Sequence, residues 1–360
     1  MNDRETGARA ASRITRRSLC LGSAVMLALA GCGGGGSSGP VAAPPGIAVF
    51  AGSLTDTGSA DGSGTAARFD SPAGLAFDSA GNLYVADQRN NTIRRITLAG
   101  QVSTVAGTPG LSGNQDGVGS AALFSLPTSL ALEGSGNVVV ADSFNLRIAR
   151  VTPVGAVTTV ATVPFGPNDA RSAGAIVLGG VAVDAANNLY VTSGIGTRRI
   201  SPAGVTTILE GVDVANGLLG TRVFQPRGVT TDKAGTMYVV DLTGGIGKAG
   251  PTDPGLTHLA GTPLVAGSAD GAGAAASFNG PWSLATDAKG NVYIADTGNN
   301  LIRKMTPAGV VTTVVGRAGP DVPEALVPAV QAPKGIAVGP DGNLYVTSGN
   351  AIVKITLPAP

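Results

Sequence analysis

Short apolar segments, separated by turn residues, recur along most of the chain. In the clearest stretch, Pro72–Gly107, two such segments lie at Gly74–Asp78 and Asn82–Asp87, and two more at Thr92–Thr97 and Val102–Ala106. Short runs rich in Val, Ile, Thr and Tyr, bounded by Gly, Asn and Asp, are typical of β-strands. The stretch therefore predicts four short strands.

The same pattern begins six times along the chain. Each copy has an opening residue and, ten positions later, a turn residue. The openers are Pro72, Pro127, Leu178, Pro226, Pro281 and Pro333, and the turn residues are Asn82, Asn137, Asn188, Thr236, Asn291 and Asn343. A β-rich unit that repeats about every 50 residues indicates a β-propeller with one repeat per blade. We therefore predict an all-β, six-bladed β-propeller of four-stranded blades, formed by residues 46–360.

The two ends of the repeat region predict how the ring closes. The sixth copy ends on a third strand, Ile352–Thr356, whereas Ile47–Gly52 matches the fourth strand of the first copy. We expect the N-terminal strand to join the last blade, because this pairing removes an open sheet edge.

Residues 1–31 have the features of an export signal. An arginine-rich start precedes Leu19–Ala30, an apolar run too short to span a bilayer stably. Leu29-Ala30-Gly31-Cys32 resembles the lipobox of bacterial lipoproteins, which implies lipid attachment at Cys32; an ordinary signal peptide with a chance cysteine is the alternative. Arg16-Arg17 also resembles a twin-arginine signal, so the export route stays open.

Residues 32–45 then form a Gly/Ser/Pro-rich tether, which is typical of a flexible linker. Gly33, and not Asp, follows the cysteine, which favours the outer membrane as the location of the anchored protein. Cys20 and Cys32 are the only cysteines, so the exported domain has no thiol for a disulfide, a metal or a nucleophile.

The charge of the domain disfavours nucleic acid as a partner. With 24 basic and 23 acidic residues, the whole chain has a formal net charge of 24 − 23 = +1. Without the five Arg and two acidic residues of the signal, the net charge is 19 − 21 = −2. Proteins that bind the phosphate backbone of nucleic acids present a strongly basic surface, and none is visible in this sequence.

Residues Tyr84–Ile96 (YVADQRNNTIRRI), together with the Pro-x-Gly opener, resemble the NHL repeat of β-propellers. The resemblance extends over 46–357 and is strongest in the first and fifth copies. It implies a scaffold for binding. A minority of related six-bladed propellers are enzymes, including amidating lyases, lactonases and strictosidine-synthase-like proteins, so a hydrolase or lyase acting in the channel is the alternative.

Acidic residues recur at two positions of the repeat. Asp-Gly pairs lie in three inter-blade loops at Asp61, Asp116 and Asp270, and aspartates end four second strands at Asp87, Asp142, Asp241 and Asp296. Each loop has only one or two carboxylates, whereas Ca²⁺ takes six or more oxygen ligands. The alternative is that these side chains accept hydrogen bonds within loops. We therefore expect no metal and no cofactor.

Candidate catalytic groups are scarce. His258 is the only histidine and falls on a predicted outermost strand, and the domain has only Glu133, Glu210 and Glu324 as glutamates. No carboxylate pair for acid–base catalysis is evident. We therefore assign no catalytic residue.

The residue after each opener is expected at the mouth of the central channel. In chain order these residues are Ala73, Thr128, Gly179, Arg227, Trp282 and Lys334. Three adjacent blades thus carry Arg227, the only tryptophan and Lys334, a combination that suits an anionic or sugar-like ligand or a protein hot spot. The alternative is a chance cluster of variable surface positions.

These features predict a monomeric, lipid-anchored propeller of the bacterial envelope that binds or scaffolds. Its partner is either an envelope protein or a small ligand at Arg227, Trp282 and Lys334. A structural surface protein with no discrete ligand is a third interpretation.

Overall fold

Six antiparallel sheets follow one another in the computed structural model, and the inner strand of each packs against the inner strands of its neighbours. The structure describes residues 46–162, 178–194, 196–213, 218–219, 225–316 and 330–358. The predicted signal peptide, Cys32, the tether and Glu324 lie outside these ranges. The predicted all-β, six-bladed propeller is confirmed.

The strands of the first three blades are β2 (Gly62–Ser63), β3 (Pro72–Phe77), β4 (Leu83–Asp87), β5 (Thr92–Ile96) and β6 (Gln101–Ala106) in blade 1; β7 (Gly117–Val118), β8 (Pro127–Leu132), β9 (Val138–Asp142), β10 (Arg147–Val151) and β11 (Ala156–Thr162) in blade 2; and β12 (Leu178–Val183), β13 (Leu189–Ser193), β14 (Gly196–Ile200), β15 (Thr206–Asp213) and β16 (Leu218–Leu219) in blade 3.

The strands of the other three blades are β17 (Pro226–Thr231), β18 (Met237–Asp241), β19 (Ile246–Ala249) and β20 (Thr257–Ala260) in blade 4; β21 (Gly271–Ala272), β22 (Ser283–Thr286), β23 (Val292–Asp296), β24 (Leu301–Met305) and β25 (Val310–Val315) in blade 5; and β26 (Ile336–Val338), β27 (Leu344–Ser348), β28 (Asn350–Thr356) and β1 (Gly46–Ser53) in blade 6. Single 3₁₀ turns lie at Gly64–Ala66, Gly119–Ala121, Ser143–Asn145, Gly273–Ala275 and Thr297–Asn299.

Four blades carry a fifth, two-residue strand beyond the predicted four. In blade 1 the Asp-Gly loop passes along the outer edge of the blade, where Gly62 pairs with Val102 and Ser63 with Gln101. Blades 2 and 5 repeat this arrangement, and in blade 3 the extra strand is a hairpin partner of β15. The Asp-Gly loops therefore cover the outer edges of three blades.

The N-terminal strand closes the ring as predicted. β1 pairs antiparallel with β28, from Gly46 opposite Thr356 to Ser53 opposite Asn350, with one register shift between Val49 and Ala51. It is the outermost strand of blade 6.

In blades 1, 3, 4 and 5 an aspartate side chain accepts hydrogen bonds from two backbone N–H groups of the turn between the first two full strands. In blade 1 the Asp78 carboxylate accepts hydrogen bonds from the backbone N–H groups of Ala80 (3.0 Å) and Asn82 (2.8 Å), while Gly81 has φ = 83°. A residue without a Cβ adopts this left-handed conformation at little cost.

The openers and the ends of the second strands lie on the same face of the ring. Pro72 pairs with Asp87, Pro127 with Asp142 and Pro226 with Asp241. We call this the mouth face. β1 begins at the opposite face, because it runs towards the mouth face and ends there beside Asn350.

The glycine of the Pro-x-Gly opener lies where adjacent inner strands meet. A Cβ added at Gly74 would lie 2.8 Å from Ser129 Cα, and one added at Gly228 would lie 2.6 Å from both Ser283 Cα and the Trp282 carbonyl oxygen. These neighbours are backbone atoms and cannot rotate away. The openers of blades 1 and 4 therefore contain glycine because these blades approach the next blade closely at the channel wall.

We expect Gly228→Ala to destabilise the protein by about 1–3 kcal/mol, the usual cost of overpacking a well-packed core. The added methyl group would separate blades 4 and 5 beside Trp282. Urea unfolding of this variant measures the effect. Gly134→Ala is the matched control, because a Cβ at Gly134 meets no atom within 4 Å. Equal stability of the two variants would contradict the close packing of the inner strands.

Candidate ligand-binding site at the channel mouth

The structure brings Arg227, Trp282 and Lys334 together on the mouth face. Each follows an opener, so the repeat register places them side by side on blades 4, 5 and 6. The Trp282 backbone N–H donates to the carbonyl oxygen of Ala295 (2.9 Å), which anchors the residue at the start of the inner strand. The Arg227 guanidinium carbon lies 4.8 Å from the centroid of the indole ring, and Lys334 Nζ lies 5.4 Å from it. Both distances are within cation–π range.

The two cations are held without a carboxylate. Within the described ranges, neither Arg227 nor Lys334 forms an ion pair. Burial lowers the pKa of Arg227 and that of Lys334. The positive charge of Arg89 lowers the pKa of Lys334 further, whereas the negative charge of Asp70 raises it. An anion bound here would therefore stabilise the charged forms of two cations that burial disfavours.

A narrow channel continues from this site between the inner strands. Its volume is about 220 Å³, and Trp282 stands among its lining residues. The polar groups of the wall are hydroxyls: Thr128, Ser129, Thr230, Thr231, Ser283 and Thr286. Of the described residues that line the channel, none is ionisable.

Six of the seven aspartates that recur in the repeat lie in ion clusters around a buried arginine, and the seventh, Asp241, accepts a hydrogen bond from the Thr243 N–H. In blade 5, Arg303 Nη1 donates to Asp296 Oδ2 (3.0 Å), and its Nη2 donates to Asp270 Oδ1 (2.8 Å). The guanidinium carbon lies 5.1 Å from the centroid of the Phe278 ring. The Arg303 and Asp296 side chains are both 0% exposed. The loop carboxylate and the strand-end carboxylate thus share one buried cation.

Blades 1 and 2 contain the same cluster. The corresponding arginines are Arg94, which pairs with Asp87 (2.8 Å) and Asp61 (2.7 Å), and Arg147, which pairs with Asp142 (2.7 Å) and Asp116 (2.9 Å). Sequence reasoning missed these arginines as a group. The seven-residue spacing from Asp87 to Arg94 recurs between Asp296 and Arg303, but Arg147 follows Asp142 by five residues and breaks the alignment.

The strand-end carboxylates accept hydrogen bonds within the loops that follow them, whereas the carboxylates of the Asp-Gly loops accept from the fourth full strand of their own blade. Asp270 accepts from both the N–H (3.0 Å) and the hydroxyl (2.9 Å) of Thr313. The described residues include no group of three or more His, Cys, Asp or Glu side chains placed to bind a metal. Burial raises the pKa of Asp87 to about 6, against the opposing effects of Asn90, the Asp70 N–H and Arg94.

The two asparagines after the second strand have different roles. Asn90 Nδ2 donates to Asp87 (2.8 Å) and completes the cluster within its own blade. Asn91 Oδ1 accepts from the backbone N–H of Leu126 (2.9 Å), the residue before the opener of the next blade. Asn299 and Asn300 repeat both contacts in blade 5. The Asn-Asn motif therefore links consecutive blades.

His258 and Glu133 lie away from the channel, and the side chains of Glu210 and Glu324 lie outside the described part of the structure. His258 is on β20, the outermost strand of blade 4, as predicted. Glu133 forms an ion pair with Arg150 (2.6 Å) at a turn of blade 2. Where second strands end in serine, the hydroxyl replaces the carboxylate: Ser348 Oγ accepts from the Gln331 N–H (2.9 Å). A search of the described part of the chain for a helix long and apolar enough to cross a membrane finds none.

Comparison with known sequences identifies the repeat. The sequence model of the NHL repeat matches residues 69–96 and 278–305, which are the first three full strands of blades 1 and 5. The protein Suppressor of quenching 1, chloroplastic, of Arabidopsis thaliana is 28% identical over 311 residues, covering 84% of this chain and 26% of that protein. The chain thus spans about a quarter of the curated relative that it matches.

Comparison with solved structures identifies the fold. An auxiliary nutrient binding protein from Bacteroides thetaiotaomicron superposes with a TM-score of 0.68 at 17% identity, covering 87% of this chain and 76% of that one. A gluconolactonase from Xanthomonas campestris superposes with a TM-score of 0.59 at 13% identity, covering 87% and 90%. At such identities the likeness concerns the fold alone. The chain is a six-bladed β-propeller with NHL repeats in its first and fifth blades.

Proposed function

We propose that this protein is a binding module of the bacterial envelope that holds a small anionic or sugar-like ligand at Arg227, Trp282 and Lys334. One observation carries the proposal. Two cations lie within 5.4 Å of one indole ring at the channel mouth, and neither is paired with a carboxylate of the described chain. The flat face of a tryptophan packs well on a sugar ring or an aromatic ligand, and cations beside it bind a carboxylate or phosphate group.

The chemistry of the channel supports binding over catalysis. Acid–base catalysis needs a positioned group that exchanges a proton near the reacting atoms. The described channel wall offers hydroxyls and aliphatic side chains to a ligand, and the two ionisable groups that contact the Trp282 ring, Arg227 and Lys334, are cations. The names of the structurally similar Bacteroides proteins, auxiliary nutrient binding proteins, agree with a binding role.

The envelope location rests on the lipobox sequence that ends in Cys32. β1 begins at Gly46, on the face opposite the channel mouth. Lipid attached to Cys32 would therefore tether the propeller by that opposite face.

Trp282 is the only tryptophan of the chain, so its fluorescence reports directly on this site. We expect glucuronate to change the tryptophan emission at concentrations where glucose, which has no carboxylate, does not. In calorimetry, Trp282→Ala should weaken glucuronate binding by at least about 30-fold, as expected for a hot-spot residue worth about 2 kcal/mol or more.

Phe144→Ala is the matched control for this experiment. Phe144 is an aromatic residue of blade 2 that is 61% exposed and lies beside the end of the second strand. It should keep the affinity of the unmodified protein. Wild-type affinity in Trp282→Ala, with an unchanged melting temperature, would overturn the proposed site.

A further inference from the structure

Lys334 also faces a second cavity, which lies between blades 6 and 1 on the mouth face. The volume of this cavity is about 310 Å³. Most of its lining is polar: Thr57, Asp70, Ser71, Arg89, Lys334 and Asn350. We call it the closure cavity, because blades 6 and 1 meet where the ring closes.

The ammonium group of Lys334 lies between the closure cavity and the site at Trp282. Lys334 Nζ lies 5.4 Å from the Trp282 ring centroid and donates to Ser71 Oγ (2.9 Å) and Gln88 Oε1 (3.4 Å). Ser71 and Gln88 belong to blade 1, so the lysine side chain reaches across the blade boundary. A ligand that contacts Lys334 therefore has access to both sites.

The closure cavity has its own cation. Arg89 is exposed at the cavity wall, and its charge contributes to the lowered pKa of Lys334. Cationic side chains thus continue from Arg227 on blade 4, through Lys334 on blade 6, to Arg89 on blade 1.

The rest of the lining distinguishes between anionic ligands. Asp70 lies among the cations and would repel a densely charged chain such as polyphosphate. A carboxylate instead accepts hydrogen bonds from the hydroxyl groups of a sugar, and the hydroxyls of Ser71 and Thr57 both donate and accept. A sugar with one carboxylate per ring satisfies both the cations and Asp70.

Building on the proposed function, we propose that the closure cavity is a second subsite and that the ligand is an acidic oligosaccharide. One uronate ring packs on Trp282, with its carboxylate at Arg227 or Lys334. The next ring occupies the closure cavity, with its carboxylate at Arg89. The ligand therefore has at least two uronate units.

The length of the ligand tests this proposal. We expect digalacturonate to bind at least about tenfold more tightly than galacturonate, because the second ring binds at the high effective concentration set by the first. Arg89→Ala should remove this gain and leave the affinity for galacturonate unchanged. Tryptophan fluorescence and calorimetry measure both affinities, and Lys233→Ala, which removes an exposed cation at a turn of the opposite face, is the control.

Each outcome of this experiment decides a different point. Equal affinity for galacturonate and digalacturonate would overturn the second subsite. Tighter binding of digalacturonate that persists in Arg89→Ala would also overturn it. Neither result would contradict the site at Trp282. Equal weakening of both ligands by Arg89→Ala also overturns the second subsite, since Arg89 would then act on the first ring. Failure of both ligands to bind overturns the proposed function itself, and the subsite with it.

Discussion

Replacing Arg303 by Met is expected to destabilise the protein by about 3–5 kcal/mol, the usual cost of breaking a buried ion pair by removing one partner. The Asp296 carboxylate is 0% exposed, and Arg303 is the cation that it contacts. Without the guanidinium group, Asp296 would remain in the core as an uncompensated charge. The backbone carbonyls of Ser277 and Ala269 would also lose the donors that Arg303 provides.

Equilibrium unfolding in urea measures this loss. Lys354→Met is the matched control, because Lys354 also forms a short ion pair, with Asp341 (2.7 Å), but the two side chains are 34% and 35% exposed. Exposed pairs contribute about 0–1 kcal/mol. Changing Asp296 to Asn in the Arg303→Met background should recover part of the stability, since it removes the orphaned charge. Equal losses in Arg303→Met and Lys354→Met would contradict a structural role for the buried cluster.

The blades and their turns could be predicted from the sequence, whereas the arginine clusters could not. The repeat predicted the blades and their turns because both depend on residues near each other in sequence, such as Asp78 and Gly81 in one hairpin. The arginine cluster joins a loop, a strand end and a third strand, with Asp61 and Arg94 separated by 33 residues. In blade 2 the guanidinium group reaches this position from Arg147, at the start of the strand. The arginines of the three clusters thus occupy the same place in their blades but not the same position in the repeat, so an alignment of the repeats does not reveal them.

One part of the candidate site could likewise be predicted from the sequence, and the other part could not. The juxtaposition of Arg227, Trp282 and Lys334 was predictable, because the repeat register alone places the residue after each opener at the channel mouth. The closure cavity was not predictable, because Ser71 and Lys334 are 263 residues apart in sequence. They meet only because the ring closes between the sixth and first blades. Asn350 contributes to the same place, where its Oδ1 accepts from the Ser71 N–H (3.1 Å).

Ring closure therefore supports both stability and the proposed site, and deletion of residues 46–52 should impair both. β1 contributes Ala51, which is fully buried, and Phe50, whose ring packs edge-on against Tyr345 with 5.1 Å between centroids. Burial of one large apolar side chain stabilises a fold by about 1.5–3 kcal/mol. Loss of the strand should cost on the order of 5 kcal/mol, close to the whole stability of many domains.

Two point variants in β1 distinguish the loss of ring closure from a general effect of shortening the chain. Ala51→Arg places a charge on the buried side of β1, whereas Val49→Arg places the same charge where 37% of the side chain is exposed. We expect the melting temperature to fall sharply for the deletion and for Ala51→Arg, and to change little for Val49→Arg. Blade 6 carries Lys334, so the same two variants should also lose glucuronate binding. A deletion variant that melts and binds like the full chain would show that β28 forms a sufficient outer edge without β1.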